Sequence, residues 1–353
     1  MHRYGALLMQ HRRYTQKGLT LVELMIALVL GLLITAAAVH LFFTGQMGFT
    51  MQKGMSEVQD NGNFGLRFLT YEIRKANYGQ VNIINDRLTH GGIVITSAQS
   101  PVVPTSGDLA FNATNIPVNI SRNIPNTEVV PVSQSGMPSN IELVSAESSQ
   151  PAQAGMSDQL VMQFYADTQG VDCEGNNYDA GRYIVQRFFL RKDANANIQK
   201  EPHDALVLAC EAGWYTRNST QILKNFNNKQ TVFGTTNGEI LMHRVDHFHY
   251  LLGISNDDNT AQQRYISIED YKKLNVYPRP RINSIQVGLL VRSSENVGQN
   301  QAISPHQEFE VLDQKVKLKK AQKTVATKFI RQVITQTIAI RNGMSVMDSA
   351  EGL

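Results

Sequence analysis

Three histidines, His243, His247 and His249, stand at even spacing within the stretch Glu239–Ile254. On a β-strand successive side chains alternate between faces, so these three would share one. Such a cluster can hold a metal ion. No acid or cysteine joins them at ligand spacing, and a polar, exposed strand face is the simpler account. Asp172, Glu174, Asn176 and Asp179 flank Cys173 and resemble a calcium loop loosely. They miss the glycine position of an EF-hand, so an ordinary polar loop suffices. Asp257, Asp258 and Asn259 read as a turn. Lys315, Lys317, Lys319, Lys320 and Lys323 form a basic cluster in KVKLKKAQK. A solvated loop or a charge-guarded edge strand explains it, and no interleaved aromatics support stacking on single-stranded nucleic acid. The chain has no GxSxG, P-loop, HExxH or dinucleotide fingerprint, and nothing pairs its serines with its histidines. It therefore gives no sign of an enzyme and calls for no cofactor and no metal. Its two cysteines, Cys173 and Cys210, have no partner at CxxC spacing.

Most of these residues sit in a segment of β character that begins at Asp158. LVMQFYAD alternates, with Leu160, Met162 and Phe164 on one side. Arg182–Lys192 and Asp204–Cys210 read as strands joined by a polar turn, DANANIQKEPH. Glu239–Ile254, Arg281–Ser294 and Lys328–Asn342 are three further strands, the last rich in β-branched residues. Before them, residues 80–157 change character: seven of the eleven prolines lie between Pro101 and Pro151, among Ser, Asn, Thr and Gly. A long, loop-rich connection is expected there, with short strands at Gly92–Thr96 and Ile141–Val144. No internal repeat is evident.

The first part of the chain is helical in pattern. From Leu19 to Phe43 there is no Lys, Arg, Asp or Pro, and Glu23 is the single charge. That run is long enough to span a bilayer, which takes roughly 20 apolar residues. Arg3, Arg12, Arg13 and Lys17 precede it, with no acid among residues 1–18. The positive-inside rule places that end in the cytoplasm and everything after Phe43 on the far side. An unpaired carboxylate in hydrocarbon costs at least ~2.5 kcal/mol, so Glu23 must sit at the membrane edge or meet a cation. A secretory signal peptide is too short for this run, although Thr35–Ala38 mimics its cleavage site. A plain signal anchor would tolerate the run but needs neither Gly18 nor Glu23.

Beyond the run, Met51, Met55, Val58, Gly62, Gly65, Leu66, Leu69, Ile73 and Ala76 fall on one helical stripe. Lys53, Glu57, Asp60, Arg67, Arg74 and Lys75 occupy the opposite face, with Phe64 and Tyr71 and, at its edge, Phe68. Either those aromatics are exposed by chance or covered by a loop, or the helix packs its stripe on its own domain and turns its aromatic back to other subunits. The helix is expected to reach Tyr78, with local unwinding between Gly45 and Gly54, where glycines weaken it by about 1 kcal/mol each.

Gly-Leu-Thr-Leu-Val-Glu, Gly18 to Glu23, with a basic leader before it and an apolar run after it, resembles the class III signal of type IV pilins and of type II secretion pseudopilins. The resemblance implies cleavage by a prepilin peptidase between Gly18 and Leu19. It further implies N-methylation of Leu19 and pairing of Glu23 with the amino terminus of a neighbouring subunit. That family usually has Phe after the cut; here it is Leu19. Gln59–Gly79, QDNGNFGLRFLTYEIRKANYG, and the ending Ile340-Arg341-Asn342 are similar to the PilW-type minor pilins.

The same resemblance implies an α+β protein: a long N-terminal helix, partly transmembrane, packed on a C-terminal antiparallel β-sheet domain in the lollipop form of pilins. Its segments would be a leader (1–18), a transmembrane assembly helix (19–43), an amphipathic continuation (44–79), a connection (80–157) and a β-rich globular domain (158–353). Its role would be that of a minor pilin helping to start pilus assembly in a priming or tip complex. Its partners would be other minor pilins, the major pilin, a tip adhesin, the prepilin peptidase and the inner-membrane assembly platform. It would sit as a single-pass protein in a bacterial inner membrane, its C-terminal domain periplasmic, and then at the pilus tip. A minor pseudopilin of type II secretion is the alternative, and a membrane-anchored binding or catalytic domain a third.

With 353 residues the chain can form one large or two modest domains beyond the membrane. Its formal net charge is +3, with 33 Lys and Arg against 30 acids. Four of the 33 lie in the leader, leaving 29 against 30, net −1, once it is removed. The basic pI is thus no argument for nucleic-acid binding. An oxidising far side makes a Cys173–Cys210 disulfide the natural pairing.

Overall fold

The computed structural model describes residues 18–80, 89–96, 114–121, 132–144, 155–196, 201, 203–226, 229–234, 236–256, 259–274, 276, 279–297, 303–304, 307–320 and 328–340. Residues 1–17 of the leader, most of the 80–157 connection, Asp257, Asp258, Lys323 and the ending Arg341-Asn342 lie outside them.

The chain divides into two units, residues 1–50 and 51–353. One helix, α1 (Leu21–Ile73), contributes to both. It is continuous through the glycines at 45, 48 and 54, so the expected unwinding does not occur. In the first unit every described residue is exposed. Hydroxyls there bond their own helix, Thr44 Oγ1 to His40 O at 2.9 Å and Thr50 Oγ1 to Met47 O at 3.0 Å, leaving neither donor unmet in an apolar run.

The second unit carries two more short helices, α2 (Val118–Ser121) and α3 (Ile268–Lys273). Its strands begin with β1 (Gln134–Met137), β2 (Ile141–Leu143), β3 (Ser157–Ala166), β4 (Gly170–Val171), β5 (Asn177–Tyr178) and β6 (Arg182–Lys192). Next come β7 (Leu206–Tyr215), β8 (Leu223–Phe226), β9 (Lys229–Val232), β10 (Glu239–His243) and β11 (Val245–Asn256). The last are β12 (Asn259–Ser267), β13 (Arg281–Arg292), β14 (Glu308–Val311), β15 (Gln314–Leu318) and β16 (Arg331–Ala339). A first sheet runs β1-β3-β6-β7-β8-β9, with β10 also on β7; a second runs β12-β11-β13-β16. A three-stranded sheet, β14-β15-β2, and the β4-β5 pair complete them, and every pairing is antiparallel. The fold is thus the expected α+β arrangement of a long N-terminal helix followed by an antiparallel β domain.

Strand periodicity places the layers. On β3, Leu160, Met162 and Phe164 enter the main core, while Val161 enters a second cluster on the opposite face. Val58, Leu66, Leu69 and Ile73 of α1 close the main core against both large sheets. Gly62 and Gly65 lie at that contact. A Cβ at Gly62 would collide with Ile334 of β16, and one at Gly65 with Met242 of β10. These glycines cost helix propensity but allow the helix to approach the sheet closely. The expected stripe is buried except for Met51, half-buried, and Met55, exposed. A third cluster, around Ile141, Leu290, Val311 and Val316, joins the small sheet to the outer face of the second.

Several boundaries differ from expectation: β7 runs on to Tyr215, five residues past Cys210, β16 is shorter than Lys328–Asn342, and Gly92–Thr96 holds only an isolated bridge from Ile93 to Met162. The helix ends at Ile73, not Tyr78, and turns continue to Gly79. Asn77 and Gly79 both take positive φ, 63° and 71°. The turn is held by β3, because Asn77 N–H donates to Gln163 O and Tyr165 N–H donates to Tyr78 O. Glu239–Ile254 is two strands rather than one. Arg244, at φ 56°, breaks them, so β10 joins the first sheet and β11 the second. Its side chain explains the break: the guanidinium pairs with Asp193 at 3.1 Å and Glu201 at 2.9 Å.

Candidate functional site

The first unit begins with Gly18, Leu19 and Thr20, exposed and outside the helix. Thr20 starts it: its Oγ1 accepts from Glu23 N–H at 3.3 Å, and its carbonyl accepts from Leu24 N–H. Thr20-x-x-Glu23 is thus half of a capping box, a signal readable in the sequence. It puts the Glu23 carboxylate in the first helical turn, where the helix dipole favours a negative charge. From Leu21 to Phe49 the apolar side chains are all exposed. By length and composition, this helix can cross a membrane.

In the second unit, the back of α1 carries exposed Phe64 (73%) and Tyr71 (63%). Phe68, grouped with them by sequence, is half-buried and packs on the main core. Lys75 lies over the Tyr71 ring at 4.5 Å and pairs with buried Glu72 at 2.8 Å. Gln186 of β6 donates to the same carboxylate at 2.8 Å, so this acid on the buried stripe is satisfied. Two clefts flank Tyr71 and Arg74. One, of about 560 Å³, is lined by Asn63, Arg67, Thr70 and Gln336; the other, of about 270 Å³, by Lys75, Tyr78, Phe164 and Tyr178. The result is a ridge of aromatic and cationic side chains.

The three histidines do not share a face. His243 is exposed beside Asp193 at 3.7 Å. His247 and His249 lie on the face of β11 opposite Phe248 and Tyr250 and are buried, not solvent-facing, because the turn from β14 to β15 covers them. Their rings stack with centroids 6.2 Å apart. His247 Nδ1 meets the Ser139 and Ser157 hydroxyls at 3.2 Å each, and Nε2 meets Gln314 Oε1 at 2.9 Å. His249 is clamped between carboxylates, Asp158 at 2.7 Å on Nδ1 and Asp313 at 2.9 Å on Nε2. Burial opposes charge on His249, but Asp158 and Asp313 outweigh it and raise its pKa to about 9. Burial, aided by the charge on His249, lowers His247 to about 3. The pair is therefore one imidazolium beside one neutral ring, with every ring nitrogen engaged.

The acids around Cys173 are likewise committed within the chain. Asp172 Oδ1 accepts from the N–H groups of Glu174 and Asn176 at 2.9 Å each. Glu174 pairs with Lys224 at 2.5 Å, and Asp179 with Arg182 at 2.5 Å. Cys173 and Cys210 are disulfide-bonded, Cα atoms 6.2 Å apart, tying the β4-β5 turn to β7. The lysine cluster divides: Lys315 and Lys317 lie on β15, the middle strand of its sheet rather than an edge, while Lys319 and Lys320 follow it as exposed residues outside any strand, as a solvated loop would have them. Lys315 pairs with Glu308, Lys317 with Glu142, and Lys319 donates to Ser139 O.

A buried charge network was not foreseen from the sequence. Asp246 accepts from Arg331 Nε at 2.7 Å, Arg292 Nε at 3.4 Å and Asn140 Nδ2 at 2.8 Å. Burial alone would raise its pKa; the two arginines outweigh that and hold it at about 2. Arg292 also meets Glu201 at 2.6 Å. It joins β13 and β16 to the segment before β7 and is architectural.

Two family models match the chain. The prokaryotic N-terminal methylation motif covers residues 13–39, which include Gly18 and Glu23. The Type IV Pilus-assembly protein W family covers residues 215–342, from the end of β7 past β16. A solved structure, a type IV-like pilin from Thermus thermophilus, matches at 12% identity over 58% of this chain and 86% of that one, with a TM-score of 0.25. No curated protein matches the chain.

Proposed function

We propose that this chain, which is a pilin-like protein of the PilW type, helps to start type IV pilus assembly as a non-catalytic subunit of a membrane priming or tip complex. The observation that carries the reading is the first unit: an unburied apolar helix that opens, two residues after Leu19, with an acid in its first turn. A helix with no cover of its own needs lipid or neighbouring subunits around it. In this reading prepilin peptidase cuts the exposed Gly18–Leu19 bond and Leu19 is N-methylated. The new amino terminus, with the helix free to shift along its neighbours, then serves as the cation for Glu23 of an adjacent subunit. Buried opposite charges stabilise such a contact only when both are present. The anchor leaves the second unit on the periplasmic side of the inner membrane, and an intact disulfide accords with that compartment.

Phe64 and Tyr71 would face other subunits, the major pilin and minor pilins among them, with a tip adhesin above. Phe68, packed inward, would support that surface rather than form it. The match to a pilus-assembly family across the second sheet supports a pilus rather than a secretion system as the setting.

Deleting the gene and counting surface pili by electron microscopy, with protein secretion assayed in parallel, tests the role. Loss of pili with normal secretion is expected; normal piliation refutes it. Two variants separate the steps. Gly18→Phe should leave the precursor at full size on a gel. Glu23→Ala should be cleaved normally yet not restore pili, and wild-type piliation by it would remove the proposed pairing.

A further inference from the structure

β16 ends the second sheet: β13 pairs with one side of it, and no described strand pairs with the other. At its two ends, Ile330 O accepts from Ser293 N–H and Ile340 N–H donates to Asn283 O, both toward the β13 side. In an antiparallel ladder a residue's N–H and C=O point the same way, and direction alternates along the strand. The register holds without a shift from Arg331 to Ala339. Even-numbered residues therefore bond β13, and Val333, Thr335, Thr337 and Ala339 turn their N–H and C=O groups outward. The Gln336 side-chain amide, donating to Thr337 O at 3.1 Å, agrees with this direction.

Edge strands are normally blunted by charge, proline or a bulge. β14, the edge of the small sheet, carries Glu308 and Glu310. From Gln332 to Ile340, β16 carries no charge, no proline and no glycine, and Thr335, Gln336, Thr337 and Ala339 are exposed. The larger cleft lies alongside, with Gln336 on one wall and Arg67, Thr70, Tyr71 and Arg74 of α1 on the other. Both arginines are exposed, and neither has a carboxylate partner among the described residues.

We propose that the open edge of β16 takes up an extended strand from another polypeptide, of about seven residues, with a carboxylate directed at Arg67 and Arg74. Outward backbone groups every second residue select a strand over any other shape. The two arginines select its charge. A second copy pairing through its own β16 would bring no carboxylate, since that stretch holds none. Such strand uptake does not require that the chain act in a pilus.

The test uses the full chain in detergent and two fluorescein-labelled, end-blocked seven-residue peptides: one alternating valine with glutamate, one alternating valine with lysine. Anisotropy should show the glutamate peptide binding at least tenfold tighter. Deuterium uptake over residues 333–339 should fall when it binds. Thr335→Pro removes an outward N–H without taking a bond from β13 and should weaken binding tenfold or more. Thr337→Glu should do the same, by guarding the edge with a charge that repels the peptide's glutamates. Trp214 fluorescence reports whether each variant is folded. Equal affinity for the two peptides, or binding untouched by both variants, overturns the proposal. So does a concentration-dependent dimer in sedimentation that both variants abolish, because a second copy would then be the occupant.

Discussion

Stability should fall on the alkaline side of neutrality, and His249 should be the cause. The ring is buried between Asp158 and Asp313, and its pKa stands at about 9 against an ordinary 6.5. A folded-state pKa above the unfolded value means that the native protein holds a proton the unfolded chain has lost. The stabilisation is complete below pH 6.5 and disappears as pH rises through about 9. At 1.36 kcal/mol for each pKa unit, the difference amounts to roughly 3 kcal/mol. The assay is urea unfolding of the full chain in detergent at pH 6.5 and pH 9.5, followed by Trp214, the one tryptophan, which lies in β7 under the Arg182 guanidinium at 3.7 Å. His249→Gln should be less stable at pH 6.5 and should flatten the alkaline decline. It should also let His247, relieved of a charged neighbour, titrate closer to its ordinary value. A wild-type profile level between pH 6.5 and 9.5, or one in which His249→Gln declines as steeply as wild type, refutes the assignment of the charge to His249.

Asp246→Ala leaves Arg292 and Arg331 buried without their shared carboxylate and should cost about 3–5 kcal/mol in the same urea assay. Cys173→Ser opens a link of sequence separation 37 and should cost about 4 kcal/mol on the loop-entropy estimate, with wild type under reductant matching it. Gly92→Ala would put a Cβ 2.5 Å from Asn77 N and 2.8 Å from its Cα, backbone that cannot rotate away. A loss of about 2 kcal/mol or more is expected, read as a fall in the urea midpoint at unchanged slope.

Periodicity made much of the second unit legible. Arg182–Lys192 is a strand over the expected bounds because its pattern and its turn residues agree. What stayed hidden depends on residues far apart in sequence. His247 and His249 look like a polar surface until Gln314 and Asp313, more than sixty positions away, close over them. Arg244 looks like one more strand residue, and only its acids, Asp193 and Glu201, reveal a corner. Gly62 and Gly65 read as weaknesses of the helix, whereas they mark where it meets Ile334 and Met242. The acid in the apolar run was visible at once, because a lone charge in such a run has few physical explanations. Thr20 three places before it was equally visible and explains how the helix starts there.

The unburied helix also restricts how the protein can travel. Seventeen large apolar side chains between Leu21 and Phe49 are exposed. At a conservative ~1.5 kcal/mol each, immersing them in water would cost on the order of 25 kcal/mol. If the protein moves from lipid into a filament, as proposed, that barrier leaves it no dissolved intermediate between the two. It would pass sideways, each apolar side chain leaving an acyl chain only as a neighbouring subunit arrives. Growth and disassembly would then both be confined to a zone where bilayer and filament touch, and the rate of either would depend on how fluid that lipid is.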